Sequence, residues 1–179
     1  RKEVQAWIGL GANIGDPVAQ LLEARRRLAS TPSVELLDSS SLYQSSPWGV
    51  EAQPDFLNAV LRVNSTLPAL ELLDTLLTIE QTMGRQRSAA RWGPRRIDLH
   101  LLLYGAESYA REGRLQLPHP RLHLRRFVLE PIHELEPDLV VPGHGPVRNL
   151  LTKIVDTERG DGSRNACRRL ANTAWDRGD

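Results

Sequence analysis

The sequence predicts an α+β fold, because segments with strand and helix patterns follow one another in the order strand, helix, strand, strand, helix, strand. In the strand segments apolar residues alternate with others, which is typical of a sheet with one buried face. In the two helix segments, apolar residues recur three or four positions apart and form one stripe. This order is that of a ferredoxin-like βαββαβ antiparallel sheet with both helices on one face, here followed by a C-terminal extension.

The first strand and the first helix are predicted within residues 4–30. Residues 4–10 alternate as a strand does, and the helix that follows has Asp16 at its N-cap and Pro17 in its first turn. The side chains of this strand that we expect to face the core are Ala6, Ile8 and Leu10.

The second and third strands are predicted at residues 34–44 and 56–63, with a loop between them. The third strand has the clearer pattern and directs Phe56 and Asn58 away from the core. The residues expected on its inner face are Leu57, Ala59, Leu61 and Val63. The second helix follows, and Gly84 stands just past its end.

The fourth strand, residues 97–104, follows a segment of different character. Residues 85–96 contain five arginines, a tryptophan and a Gly-Pro pair, so this segment is predicted to be a loop. In the strand, Asp98 and His100 share the face that points away from the core. The residues expected on the core face are Ile97, Leu99, Leu101 and Leu103, whereas Leu102 and Tyr104 are expected on the face of Asp98.

This segment and strand predict a site for a magnesium-bound polyphosphate. Arginine side chains suit phosphate oxygens, and a carboxylate suits the Mg²⁺ that accompanies them. Two alternatives remain open at this point: the arginines form only a solvated loop, and Asp98 with His100 is a half-buried polar pair without function.

Beyond the fourth strand the patterns are weaker. The predicted elements are a hairpin or irregular excursion at 106–118, short helical turns at 119–134 and a last helix at 147–155. Pro131 is expected to limit the helical turns. We expect one folded domain over residues 1–155 and a charged, flexible tail over residues 156–179.

Composition narrows the class of protein. A formal net charge of +1 gives no general attraction for nucleic acid. No run approaches the roughly 18 apolar residues that a membrane span needs. The single cysteine, Cys167, fits a reducing compartment. We expect a cytoplasmic monomer with neither a nucleic-acid nor a membrane partner.

Two aromatic residues and one amide suggest a second ligand feature. Phe56, Phe127 and Asn58 can form a slot for a flat heterocycle, in which the rings stack and the amide reads the ligand edge. The alternative is that Phe127 belongs to the core, and that Phe56 and Asn58 are ordinary surface residues.

Two further patterns resemble known ligand-binding motifs but favour simpler interpretations. Residues 9–15 contain three glycines, but their spacing is one residue longer than in a dinucleotide-binding loop, which favours a plain strand-to-helix turn over a phosphate-binding loop. A turn that borders the site is the remaining alternative. His119 and His123 lie four residues apart, as in a helical zinc site, but Pro120 between them argues against that site.

Together these segments resemble the 6-hydroxymethyl-7,8-dihydropterin pyrophosphokinase family of folate biosynthesis over about residues 3–150. The segments that carry the resemblance are residues 11–13, 54–59, 79–80, 84–85, 91–99, 117–120 and 127–131. Residues 91–95, Arg-Trp-Gly-Pro-Arg, are the most specific of them. The resemblance implies an enzyme that transfers pyrophosphate from ATP to the hydroxymethyl group of the pterin and releases AMP.

The resemblance also implies roles for individual residues. The residues implied in catalysis are Arg85, Arg95 and Asp98. Those implied in pterin binding are Phe56, Asn58, Trp92 and Phe127. Those implied in ATP binding are Glu80, Arg87, Arg114, Gln116, His119 and Arg125. The family uses two Mg²⁺ ions, and the implied metal ligands are Asp98 and His100, the second of which stands where the family has a carboxylate.

The chain departs from the family pattern in the fourth strand. The family has Asp-x-Asp there, whereas this chain has Asp98, Leu99 and His100. Three hypotheses follow: one Mg²⁺ is well held and the second weakly, another metal such as Mn²⁺ is preferred, or the chain binds pterin and nucleotide with weak or no catalysis. RNA binding by the sheet face is an alternative of another class, although closely spaced aromatic residues of the RNA-recognition type are absent from the sequence.

Overall fold

A computed structural model describes residues 2–46, 54–84, 97–111, 113–161 and 167–178. Along these ranges the strands are β1 (Val4–Ala12), β2 (Val34–Ser39), β3 (Tyr43–Ser45), β4 (Phe56–Ser65), β5 (Asp98–Tyr104), β6 (Tyr109–Arg111), β7 (Leu115–Leu117), β8 (Val140–Val141), β9 (Gly145–Pro146) and β10 (Cys167–Arg169). The helices are α1 (Pro17–Ala29), α2 (Ala69–Thr82), α3 (Arg126–Leu135), α4 (Val147–Asp161) and α5 (Ala174–Arg177), with a 3₁₀ turn at Leu122–Leu124.

The main sheet confirms the ferredoxin-like prediction. Its strand order is β10-β3-β4-β1-β5, with β2 also paired to β4, and the pairings are antiparallel. The predicted second strand is divided into β2 and β3 at Ser40. There the Ser40 hydroxyl accepts the Val60 backbone N–H at 2.9 Å, so a side chain takes a position in the ladder that a backbone carbonyl would otherwise fill.

The first face of the sheet packs against α1 and α2, as predicted. The inward residues predicted for β1 and β4 all lie in this core, together with residues from one stripe of each helix: Leu21, Ala24 and Leu28 from α1, and Ala69, Leu72, Leu76 and Ile79 from α2. The alternation in the strands and the spacing in the helices therefore both predicted the same core correctly.

The second face is partly covered, so helices lie on both faces rather than one. The 3₁₀ turn, α3 and α4 form a smaller core here with Trp7, Val60, Leu102 and Leu103. The expectation that Pro131 limits the helical turns was wrong, because α3 continues through it to Leu135. Burial of the neighbouring α3 residues offsets the backbone hydrogen bond that proline removes.

An irregularity in β5 corrects the predicted faces of its last residues. Trp7 pairs with Leu103, but Ile8 pairs with Leu101, so β5 contains one extra residue at that point. A bulge of this kind reverses the alternation. Leu103 therefore joins the smaller core, and Tyr104 lies in the larger core, where its hydroxyl donates to the Leu67 carbonyl at 2.6 Å.

The C-terminal region differs from the expected flexible tail. Helix α4 extends to Asp161, and residues 167–178 form β10 and α5 against the main body. Trp175 is only 2% exposed and belongs to the larger core. Scattered apolar residues give little periodic signal, so this order depends on contacts with distant parts of the chain. No helix within the described ranges is long and apolar enough to cross a membrane.

Two histidines pack against each other beside α4, and they predict an acid-sensitive contact. The rings of His123 and His144 stack with centroids 3.8 Å apart. Burial, with further contributions from His144 and Lys153, lowers the pKa of His123. Unfolded histidine titrates near pH 6.5, at about its ordinary value, so between that pH and the lower folded pKa the unfolded state binds more protons. The contribution of neutral His123 to stability is therefore complete above that pH and declines as the pH falls below it.

Replacing His123 with phenylalanine should make stability less sensitive to acid. The ring stack is kept, but the group that takes up a proton on unfolding is lost. We expect the melting temperature of the variant to fall less than that of the unmodified protein between about pH 7 and about pH 5. Thermal unfolding followed by circular dichroism measures both slopes. Equal slopes would show that His123 does not contribute to the acid sensitivity.

Candidate functional site

A cavity of about 240 Å³ opens on the second face of the sheet, where β1, β4 and β5 meet α3. Most of its lining surface is apolar, and a small number of polar groups interrupt it. This is the usual composition of a small-molecule site. The polar and aromatic residues that line it are Ser45, Ser46, Phe56, Asn58, Asp98, His100, His119, Arg125 and Phe127.

The strand register brings the polar groups of the cavity together. Gly11 in β1 pairs with Asn58 on one side and with Asp98 on the other. Asn58 and Asp98 thus come from strands far apart in sequence but flank the same residue. A Cβ atom at Gly11 would lie 3.2 Å from the Asn58 amide oxygen, so a side chain here would crowd that group. Glycine keeps this part of the floor open.

The amide of Asn58 is held from the side of β3. Its Nδ2 donates to the Ser45 hydroxyl at 2.7 Å and reaches the Tyr43 carbonyl at 3.5 Å. A carbonyl oxygen can only accept a hydrogen bond, so the nitrogen end of the amide faces β3. The oxygen end then lies over Gly11 and is suited to accept hydrogen bonds from a ligand.

Two aromatic side chains border the same cavity from different elements. Phe56 begins β4, and Phe127 lies in the first turn of α3. Both rings are half-buried. The Arg125 guanidinium lies 5.6 Å from the centroid of the Phe127 ring. The predicted slot residues Phe56, Asn58 and Phe127 are therefore brought together by the fold, although they are distant in sequence.

A carboxylate and two imidazoles form the polar end of the cavity. His100 Nε2 and Asp98 Oδ2 are 2.7 Å apart, and the Asp98 side chain is 18% exposed. The His119 ring meets the His100 ring edge to face, with centroids 5.2 Å apart. Burial, with repulsion from His100 and Arg125, lowers the pKa of His119 to about 4. His119 is therefore neutral near pH 7 and offers hydrogen bonds rather than charge.

Arg125 supplies a positive charge at the same end. Burial lowers the pKa of this guanidinium, and Arg121 lowers it further, whereas Asp98 acts in the opposite direction. Guanidinium groups remain charged in proteins. A cation whose solvation is reduced by burial attracts an anionic ligand more strongly than an exposed one does.

A second cavity lies next to the first and shares Asp98, His100 and His119 with it. Its other walls come from α2 and from the β6–β7 hairpin, including Arg114 and Gln116. Both of these side chains are exposed, and Arg114 forms an ion pair with Asp74 at 2.5 Å. Two ligands bound in the two cavities would thus meet at Asp98.

Glu80 lies in the wall of this second cavity but is deeply buried. The residue is 1% exposed, and its Oε1 accepts the Leu99 backbone N–H at 2.6 Å. This hydrogen bond joins α2 to β5 next to Asp98. The resemblance implied a place near ATP for Glu80, and the structure adds a structural function for its carboxylate.

The metal-binding capacity of the site can be judged from its donor atoms. Within the described residues, no group of three or more histidine, cysteine, aspartate or glutamate side chains is arranged to hold a metal ion. Mg²⁺ needs few protein ligands when phosphate oxygens and waters complete its coordination. Asp98 suits such an ion, whereas the nitrogen donor of His100 does not.

Several predicted residues lie outside the described ranges. These are the implied catalytic and ligand-binding residues Arg85, Arg87, Trp92 and Arg95, all within residues 85–96. Ser45, by contrast, lines the cavity but was not predicted from the sequence as a site residue. Its neighbours gave only a weak strand pattern, and the relevant signal is its pairing with Phe56 across β3 and β4, which only the register shows.

Two cavities that meet at one carboxylate, on the partly covered face of a ferredoxin-like sheet, are the arrangement expected of an α+β enzyme that brings two substrates together. The sequence model of 7,8-dihydro-6-hydroxymethylpterin-pyrophosphokinase (HPPK) matches residues 7–137. The chain belongs to this family of pyrophosphokinases, which confirms the resemblance seen in the sequence segments.

Individual relatives agree with this assignment. The chain is 40% identical over 153 residues to the 2-amino-4-hydroxy-6-hydroxymethyldihydropteridine pyrophosphokinase of Haemophilus influenzae, covering 86% of this chain and 94% of the relative. It is 43% identical over 150 residues to the enzyme of the same name from Methylorubrum extorquens, covering 84% of this chain and 93% of the relative. These comparisons give no support to the alternative of a homologue with weak or no catalysis.

Solved structures agree with the fold. The wild-type HPPK-DHPS of Plasmodium falciparum, crystallised with pterin and p-hydroxybenzoate, superposes with a TM-score of 0.75 at 14% sequence identity. The match covers 94% of this chain but 45% of that chain, so this chain corresponds to somewhat less than half of the solved one. At this identity the likeness supports the fold alone.

Proposed function

We propose that this chain is an ATP-dependent diphosphokinase that transfers pyrophosphate from ATP to the hydroxymethyl group of 6-hydroxymethyl-7,8-dihydropterin, giving AMP and the pterin diphosphate for folate biosynthesis. The observation that carries the residue assignment is the meeting of two cavities at Asp98. In this proposal the first cavity holds the pterin and the second holds ATP, so the hydroxyl and the β-phosphate meet beside this carboxylate.

The pterin is recognised by shape and by one amide. Phe56 and Phe127 offer ring faces to the flat heterocycle, and Trp92 is proposed to cover it. The Asn58 amide oxygen accepts hydrogen bonds from N–H groups on the pterin edge. This arrangement favours a heterocycle that has donors next to one another along one edge.

ATP is held by charge and by hydrogen bonds in the second cavity. The residues proposed to contact it are Glu80, Arg87, Arg114, Gln116, His119 and Arg125. Neutral His119, which both cavities share, donates or accepts a hydrogen bond, and Arg125 attracts the phosphates from the adjoining lining of the first cavity. Arg85 and Arg95 are proposed to contact the migrating group.

Catalysis then requires positioning and charge stabilisation rather than a covalent intermediate with the protein. Asp98 is proposed to hold Mg²⁺, which when bound neutralises phosphate charge, and a second ion is expected from the family. Arg95 and Arg125 stabilise negative charge that develops during transfer. Mn²⁺ is an alternative ion, because the imidazole of His100 suits it better than Mg²⁺.

The setting proposed for the enzyme is the cytoplasm, where it acts as a monomer without a nucleic-acid or membrane partner. The single cysteine is compatible with a reducing compartment. A formal net charge of +1 supports small anionic substrates, attracted by local arginines, over a polyanionic partner.

The direct test is formation of AMP from ATP that depends on 6-hydroxymethyl-7,8-dihydropterin, measured in Mg²⁺ and then in Mn²⁺. We expect pterin-dependent AMP formation in Mg²⁺. A His100→Asp variant measured beside it shows how much a second carboxylate changes the preferred metal. Absence of both AMP formation and pterin binding by calorimetry would overturn the proposed function.

A ring deletion tests the pterin slot. Replacing Phe127 with alanine should raise the dissociation constant for the pterin by roughly 10- to 100-fold, because a stacking surface is lost at the cavity wall. The dissociation constant for ATP should change much less. Leu124→Ala is the matched control, since Leu124 lies just before α3 but is 58% exposed. Equal effects of the two substitutions on pterin binding would contradict this place for the ring.

A further inference from the structure

We propose that the C-terminal segment, residues 167–178, positions the Asn58 amide for pterin recognition by fixing β3 from its outer edge. The proposal rests on the proposed function, because it assigns a role within the pterin site. The segment lies outside residues 7–137, which the family match covers. It adds positioning residues that do not themselves line the cavity.

The first step of the argument is that β3 depends on this segment for its second partner. β3 contains three residues and pairs with β4 on one side and with β10 on the other, where Cys167 pairs with Ser45. The Leu170 backbone N–H extends the contact by donating to the Leu42 carbonyl at 2.8 Å. Without β10, β3 would be a short edge strand, and such strands open readily.

The segment is itself anchored to the main body. The indole N–H of Trp175 donates to the Ser40 carbonyl at 2.7 Å, just before β3. The Arg25 guanidinium from α1 lies 3.8 Å from the Trp175 ring centroid and donates to the Trp175 carbonyl at 3.0 Å. Helix α5 starts with a capping box between Thr173 and Asp176. The chain that follows β10 is thus anchored through Trp175, which is buried in the larger core.

The carboxylate of Glu134 strengthens the contact between β10 and the residues at the start of β3. Glu134 in α3 accepts hydrogen bonds from the Ser41 backbone N–H at 3.0 Å and from the Tyr43 hydroxyl at 2.8 Å. Arg169 in β10 contributes from the opposite side, with its Nη2 3.4 Å from Glu134 and its Nε donating to the Ser41 hydroxyl at 3.1 Å. Residues 41–43 are therefore held between α3 and β10.

The effect reaches the cavity through the hydrogen bonds that β3 accepts from the Asn58 amide, of which the one to Ser45 at 2.7 Å is the shorter. Ser45 pairs directly with β10, and its hydroxyl accepts the Asn58 amide N–H. If β3 moved, Asn58 would lose the partner that keeps its oxygen end toward the ligand. Binding would then have to restrict the amide and β3, which costs affinity. The C-terminal segment therefore preorganises the group that reads the pterin edge.

A matched pair of substitutions at Leu170 tests this proposal in the chain of residues 1–179. Leu170→Pro and Leu170→Ala both remove the side chain that packs against the larger core, but only proline also removes the N–H that bonds to Leu42. We expect the pterin dissociation constant of the proline variant to exceed that of the alanine variant by roughly 3- to 10-fold. The dissociation constant for ATP should stay within about twofold in both.

A double-mutant cycle with Ser45→Ala tests whether the effect of Leu170→Pro on pterin binding acts through the hydrogen bond between Ser45 and Asn58. Ser45→Ala alone should weaken pterin binding by roughly tenfold, whereas Ser45→Thr, which keeps the hydroxyl, should restore most of the affinity. Once Ser45 is alanine, Leu170→Pro should weaken binding much less than it does in the unmodified chain, because both changes act on the same hydrogen bond. Strict additivity would overturn the proposal, since the two residues would then act independently.

A second variant covers the case in which Leu170→Pro does not fold. Trp175→Phe keeps an aromatic ring and removes the N–H that bonds to Ser40. We expect a rise of about two- to fivefold in the pterin dissociation constant with no change for ATP. A lower melting temperature with unchanged pterin affinity would overturn the positioning role. If the unmodified chain fails to bind pterin, the proposed function fails; if it binds but the matched variants do not differ, only this inference fails.

Discussion

Replacing Asp98 with asparagine is expected to lower kcat roughly 1,000-fold while leaving the pterin dissociation constant almost unchanged. The asparagine has nearly the same shape, so packing at the start of β5 is preserved. It lacks the negative charge that suits Mg²⁺, and it weakens the 2.7 Å contact with His100. In the proposed site, pterin affinity depends instead on Asn58 and the two aromatic rings, which this change does not touch.

The measurement is the steady-state rate of AMP formation at saturating ATP and pterin, with calorimetry for pterin binding and thermal unfolding for the fold. Asp138→Asn provides a matched control, because Asp138 is 80% exposed and pairs with Arg148 away from the two cavities. The control should retain the full rate. A loss of less than about tenfold in the Asp98 variant would show that this carboxylate is not central to transfer.

Replacing Trp175 with alanine is expected to lower the free energy of unfolding by about 3–5 kcal/mol, the usual range for deleting a large buried aromatic side chain. The residue is 2% exposed and packs in the larger core near α1. Alanine would leave a cavity, remove the hydrogen bond to the Ser40 carbonyl and take away the ring beneath the Arg25 guanidinium. Such a loss is a large part of the stability of an ordinary domain.

Equilibrium unfolding in urea measures this loss. Trp175→Phe should cost less than half as much, because most of the buried apolar surface is kept, and Leu124→Ala at an exposed position should cost about 0.5 kcal/mol or less. A change below about 1 kcal/mol for Trp175→Ala would contradict the packing of the C-terminal segment and would support the flexible tail that the sequence suggested.

The errors in the predicted fold have a common physical cause. The division between β2 and β3 depends on a hydrogen bond between the Ser40 hydroxyl and Val60, twenty residues away. The bulge that moves Leu103 and Tyr104 to unexpected faces depends on the register between β5 and β1. The continuation of α3 through Pro131 depends on burial against the sheet. The spacing of residues along one segment carries no information about such contacts between distant parts of the chain.

For the candidate site, the sequence predicted the kinds of side chain and the sheet face on which they lie, but not how the strands bring them together. The sequence alone predicted which face Asn58 and Asp98 occupy, because alternation along a strand assigns each residue to a face. It did not show that both residues flank Gly11, or that Ser45 holds the Asn58 amide. These relations depend on strand order and register, which are properties of paired strands and not of any single segment.

The amino-acid sequence by itself determined the α+β class, the strands and helices of the first core, and the family, because these depend on periodic burial and on short specific segments. Only the tertiary structure decided how β3 is supported and how the C-terminal segment is ordered. The segment is short and its local preference is weak, so its conformation is stabilised by contacts of Trp175 and β10 with residues more than a hundred positions earlier.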